Sequence, residues 1–134
     1  MIVFSKKNKN KVICAVFRAK KASYVRKDIS NTSEFLQVSI KKYKINTGVK
    51  RHIHKKLIRK TSITQEIWIV LKGKIFTEIF DIDKNKIKNF FLKNGDVLIL
   101  YRGGHSFKTI ESGTIFYEIK NGPYYKFKKD IEYF

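Results

Sequence analysis

Two histidines stand one residue apart at His52 and His54, and a third, His105, follows the double glycine at 103–104. Imidazole binds divalent metals, and it gains or loses a proton near neutral pH. A carboxylate, Glu66, opens the apolar run EIWIVL at 66–71, where a strand would place it on one face with Trp68 and Val70. A charge on such a face must be paired or ligating, because burying it alone is costly. On a strand His52 and His54 point the same way, and an antiparallel pairing through residues 55–65 would bring Glu66 beside them. The bland reading is a hydrated polar pair, since Lys50, Arg51, Lys55 and Lys56 flank the two imidazoles.

Residues 50 to 60 hold six basic groups (Lys50, Arg51, Lys55, Lys56, Arg59, Lys60) and no acidic one. At a pocket mouth they would draw in a phosphate, a carboxylate or a nucleotide-sugar; otherwise they form a hydrated hairpin. Arg59 is the candidate ligand contact, because the planar guanidinium fork suits an oxyanion. Further on, Thr114, Phe116, Glu118 and Lys120 alternate on one face. If that face points inward, Glu118 is a candidate acid/base group, with Lys120 and Tyr124 as ligand contacts. If not, Glu118 and Lys120 form a surface pair on an edge strand. Trp68 is either core or a stacking platform for a sugar ring. Cys14 is the only cysteine and sits among apolar residues, which excludes an internal disulfide and favours a packed thiol.

The elements that would carry these groups read as strands. Runs rich in Ile, Val, Phe, Tyr and Trp recur at 12–17, 35–45, 66–71, 74–82, 87–92, 96–101 and 114–120. Turn residues separate them, among them Asn46-Thr47-Gly48, Lys72-Gly73, Asn94-Gly95, Gly103-Gly104 and Gly122-Pro123. This spacing predicts an all-β sandwich or barrel in one domain, 1–134. One helix-start signal, Asn31 with Glu34, has capping-box spacing and could open a single turn.

The net charge is +19, yet lysines outnumber arginines by 25 to 5 and are spread along the chain. A nucleic-acid groove favours arginine and concentrates its charge, so nucleic acid is not the expected partner. No apolar run has the length needed to cross a bilayer, and the first residues lack a signal-peptide pattern. A cytoplasmic protein with no membrane partner is expected. The strand at 12–17 could pair with a neighbouring copy, which would make a homodimer.

Taken together, the paired histidines, the interval from Glu66 to Gly73, and the stretch from Gly95 to His105 resemble the two motifs of the cupin superfamily. The resemblance covers residues 36–119, with 1–35 as an N-terminal strand segment. It implies a cupin-like β-barrel, the double-stranded β-helix or jelly roll. It also implies a divalent metal ion (Fe, Mn, Zn or Ni) on His52, His54, Glu66 and His105. The chain departs from the motifs in the eleven residues between His54 and Glu66, and in Tyr101, where the motif has proline. FLQVSIKKYKINTG, LILYRGGHSF and EIKNGPY are similar to small cupin-fold proteins often encoded among polysaccharide and sugar-modification genes. The resemblance thus implies a metal-binding protein that binds or transforms an anionic small molecule, such as a sugar derivative. An isomerase, epimerase, hydrolase or dioxygenase fits, as does a non-catalytic sensing module.

Overall fold

The computed structural model describes residues 1–18, 25–125 and 130–134. Ten strands are present among them: β1 (Ile2–Phe4), β2 (Val12–Phe17), β3 (Arg26–Asp28), β4 (Ser39–Lys41), β5 (Glu66–Lys72), β6 (Lys74–Phe80), β7 (Lys86–Lys93), β8 (Val97–Leu100), β9 (Gly104–Thr109) and β10 (Ile115–Lys120). They form a five-stranded sheet in the order β1-β2-β8-β5-β10, a three-stranded sheet β7-β6-β9, and the pair β3-β4. Every pairing is antiparallel. The protein is therefore all-β, as its alternating runs predict, but no sheet closes into a barrel.

Alternation decides which side chains are inside. Trp68 and Val70 from β5, Cys14 and Val16 from β2, and Leu98 and Leu100 from β8 meet Ile75 and Ile79 of β6 and Leu92 of β7 in one core. The opposite face of the larger sheet is covered as well. There Ala15, Ile99 and Tyr101 pack with Ile29 and Val38, and the Tyr101 hydroxyl donates to Ser30 Oγ at 3.1 Å. The 29–38 segment is held down by Glu34, whose carboxylate accepts from Arg102 Nη2 at 2.7 and 2.8 Å and from Gln65 Nε2 at 2.7 Å.

Two corners set the frame around the site. At Gly73 the chain passes from β5 in one sheet to β6 in the other, with a positive φ of 79° and Thr114 packed against its α-carbon. A side chain at 73 would collide with that threonine, so glycine is required there. The segment between β9 and β10 makes the reverse crossing beside it, where Ile110 N–H donates to Lys74 C=O at 2.9 Å. Glu66, Lys120 and His105 all lie at the opposite ends of these strands.

Several expectations are corrected. The strand expected over 35–45 shrinks to Ser39–Lys41 and pairs only with β3, and the exposed cations Lys42 and Lys44 follow it. At Asn31 a single hydrogen-bonded turn forms, with Glu34 N–H donating to Asn31 C=O and Ser33 N–H to its side-chain oxygen, both at 3.0 Å, but the Glu34 carboxylate is taken by Arg102 and no helix follows. The strand expected at His52 and His54 is absent, because residues 47–61 have no regular structure and β5 pairs with β8 and β10. Six cations within eleven residues, with no acid, repel one another and give no reason to lie flat on a sheet. Strands β1, β3 and β9 had no counterpart among the apolar runs. No helix among the described residues is long and apolar enough to cross a membrane.

Candidate functional site

Residues opposite each other in adjacent strands share a face, so the register of the large sheet places Val3, Cys14, Leu100, Glu66 and Lys120 in one inward-facing row. The next row is Val16, Leu98, Trp68 and Glu118. Both rows are apolar at the β2 end; the first becomes polar at β5 and the second at β10. From the smaller sheet, Ile79 of β6 lies opposite His105 of β9. The site thus sits where the edge strands of the two sheets, β9 and β10, leave the sandwich open.

Gly103 makes this placement possible. Its φ of +78° lets β9 begin directly after β8, and a side chain there would strike the carbonyl of Phe80. Next to it, the ring of Phe134 packs over Gly104 and meets Phe80 edge-on at 5.3 Å.

Glu66 is only 7% exposed. Its Oε1 lies 3.0 Å from Lys120 Nζ, and its Oε2 lies 3.3 Å from His105 Nε2 and accepts from Trp68 Nε1 at 3.2 Å. Lys120 Nζ also reaches Glu118 Oε1 at 3.0 Å. Burial works against the Glu66 charge, but hydrogen bonding and positive charge from His105 and Lys120 outweigh it and hold the carboxyl down at about 2. Burial likewise opposes the Lys120 charge, and its bonds to Glu118 and Glu66 overcome that and raise its pKa. A desolvated carboxylate with three donors is the condition under which such a charge can stay buried.

Aromatic rings surround this group. Trp68 meets His105 at 5.2 Å, Phe107 at 5.4 Å and Phe116 at 5.7 Å between ring centroids, and Phe107 meets Phe116 at 5.1 Å. Trp68 is buried at the base of this group, while Phe107 at its rim is 46% exposed. Behind these rings, the hydroxyl of fully buried Thr77 has no hydrogen-bond partner among the described residues.

Of the expected site residues, the structure brings together Glu66, His105, Lys120 and Glu118, with Trp68 beside them. Trp68 is 1% exposed and therefore core; no face of the indole is open for a sugar to stack on. Tyr124 is exposed beyond β10, and Arg59 is exposed on the irregular segment. His52 and His54 lie 5.3 Å apart between ring centroids, both exposed, with His52 Nδ1 at 2.9 Å from the Lys50 carbonyl oxygen. Phe107 was not singled out from sequence, although it lies two residues past His105 and so shares its face.

The four side chains implied as metal ligands do not gather. Among the described residues no group of three or more His, Cys, Asp or Glu side chains is placed to hold an ion. Glu66 and His105 do meet, but both Glu66 oxygens are already engaged by Lys120, Trp68 and His105. In this arrangement the donor set does not fit a bound cation. Cys14 offers nothing more, since burial pushes its thiol up to about 12.

What the cluster holds is a fixed negative charge beside an imidazole. A carboxyl with a pKa of about 2 is an anion throughout the neutral range, so Glu66 orients and stabilises rather than titrates. His105 and Lys120, each with a side chain 30% exposed, and Glu118, at 39%, are the members that solvent or a ligand can reach. The Nε2 of His105 faces the Glu66 carboxylate, which leaves Nδ1 to accept or donate. Compared with known family models, with curated proteins and with solved structures, the chain matches none.

Proposed function

We propose that the protein is a small cupin-like jelly roll that receives an anionic small molecule, of the sugar-phosphate or nucleotide-sugar class, at the open end beside His105. The observation that carries this reading is a permanently ionised, buried carboxylate set against a partly exposed imidazole. Such a pairing is a common feature of ligand and catalytic sites, whereas an apolar pair fills a core as well. The surplus of cations over the whole chain, +19, concentrates anions around the molecule, and the six basic groups of 50–60 add a local field. With Glu66 holding the ring, His105 would act as the general acid or base of an isomerisation or epimerisation. Support for the non-catalytic alternative comes from Glu118, whose Oε1 is tied to Lys120, so that no second proton carrier stands ready.

Titration of histidine-labelled protein with inorganic phosphate, glucose 1-phosphate and UDP-glucose, followed by NMR of the imidazole signals, tests the reading. The expected result is a saturable shift of His105 with at least one sugar-containing probe, lost in His105→Gln. No perturbation of His105 by any of the three, or equal affinity in His105→Gln, would overturn it. Solvent deuterium entering a bound sugar would assign catalysis, and binding without exchange would assign a sensing module.

A further inference from the structure

The smaller sheet has a second face, turned away from the core. In β6, Ile75, Thr77 and Ile79 are fully buried, so Lys74, Phe76, Glu78 and Phe80 point outward. The register carries this face onto both neighbours. Lys74 stands opposite Lys93 of β7, and Phe76 stands between Phe91 of β7 and Lys108 of β9. The Phe76 and Phe91 rings meet at 5.3 Å between centroids, and Lys74 Nζ lies 4.4 Å from the centre of the Phe91 ring. Phe91 is 46% exposed, so much of its ring meets solvent. Lys93 and Lys108 are exposed as well, and among the described residues neither joins an ion pair.

Charge around these rings has one sign. The three strands hold five lysines and a single acid, Glu78. That carboxylate belongs to the next row, where Lys86 and the Ser106 hydroxyl, at 3.1 Å, already engage it. Along the chain Lys74, Lys93 and Lys108 are far apart, and each looks like one more scattered lysine. The sheet gathers them on either side of two aromatic rings.

We propose that the outer face of β7-β6-β9 is a platform for single-stranded nucleic acid. Phe91 and Phe76 stack against bases, while Lys74, Lys93 and Lys108 contact phosphates. A single strand offers two surfaces, an anionic backbone and unpaired flat bases, and cations beside exposed rings match both. Lysine suffices for this, since it meets phosphate as a point charge. A duplex keeps its base faces inside its own stack and gives the rings nothing to cover. Insertion into lipid needs apolar groups that sink by about 5 Å or more, whereas Phe76 and Phe91 lie within a sheet face and among lysines. His105 points from β9 toward Trp68, to the other side of this sheet, so the platform stands apart from the ligand reading of the open end.

The test measures fluorescence anisotropy of a labelled oligothymidylate, about twelve nucleotides long, and of a duplex of equal length, with full-length protein over a range of salt. Phe91→Leu keeps an apolar side chain but removes the aromatic face. It should weaken the single strand about tenfold and leave the duplex unchanged. Lys93→Gln and Lys108→Gln should each reduce the slope of log affinity against log salt for the single strand by about 0.7. Lys9→Gln, in the loop between β1 and β2, removes the same charge elsewhere and should leave that slope unchanged. The proposal is overturned if Phe91→Leu binds the single strand as the parent does, or loses the duplex to the same extent, because net charge alone would then account for binding. It also fails if the oligothymidylate does not bind while phosphatidylserine vesicles are held through Phe91.

Discussion

At the first residue of β5, a carboxylate, an imidazole and an ammonium are fixed by strands from two sheets. Along residues 47–61, two imidazoles and six cations stand in solvent on backbone with no regular structure. The residue types overlap, yet only the first group has its electrostatics set by the fold. The difference lies in the backbone: β5 and β10 are each hydrogen-bonded to a neighbour, so their side chains are delivered to a face. Burial of the Glu66 carboxylate then makes its contacts strong, whereas exposed charges in water interact weakly.

The sharpest way to break this contrast is Glu66→Ala. It leaves the Trp68 N–H, Lys120 and His105 without their shared acceptor, and a loss of about 3 kcal/mol in urea unfolding is expected. His52→Ala and His54→Ala should each stay within about 0.5 kcal/mol of the parent in the same assay. Equal costs in the two regions would mean that burial does not distinguish them.

Acid titration separates the regions through a single group. The folded-state pKa of Glu66, about 2, lies below its ordinary value of 4.5. A depressed carboxylate stabilises fully above the unfolded value, and that stabilisation is lost as pH falls from 4.5 through about 2. Melting temperature followed over that interval should therefore fall less steeply in Glu66→Gln than in the parent. A change of opposite sign is expected behind the aromatic rings. Thr77→Val removes a buried hydroxyl that has no partner, so stability should hold or rise by about 1 kcal/mol.

Much of the scaffold was legible as pattern. The runs at 12–17, 66–71, 74–82, 87–92, 96–101 and 114–120 correspond to β2, β5, β6, β7, β8 and β10, because apolar alternation reports the face that a sheet buries. Strand β9 was missed because GHSFKT is mostly polar and its exposed face gives no alternation. Its role comes from pairing with β6. In the same way, the face of β10 that carries Glu118 and Lys120 was left open by the sequence. Only the pairing of Lys120 with Glu66 shows that it turns inward.

What the residues determined alone is an all-β chain with a surplus of positive charge and a carboxylate on an apolar face that had to find partners. Those follow from period and composition, which act locally. Which histidine became that partner was decided by tertiary structure. His52 and His54 have the tidier spacing, but their segment found no strand to lie against. His105 reached Glu66 because Gly103 turned β9 into the opposite sheet, and a contact between two sheets depends on packing that no short interval of sequence encodes.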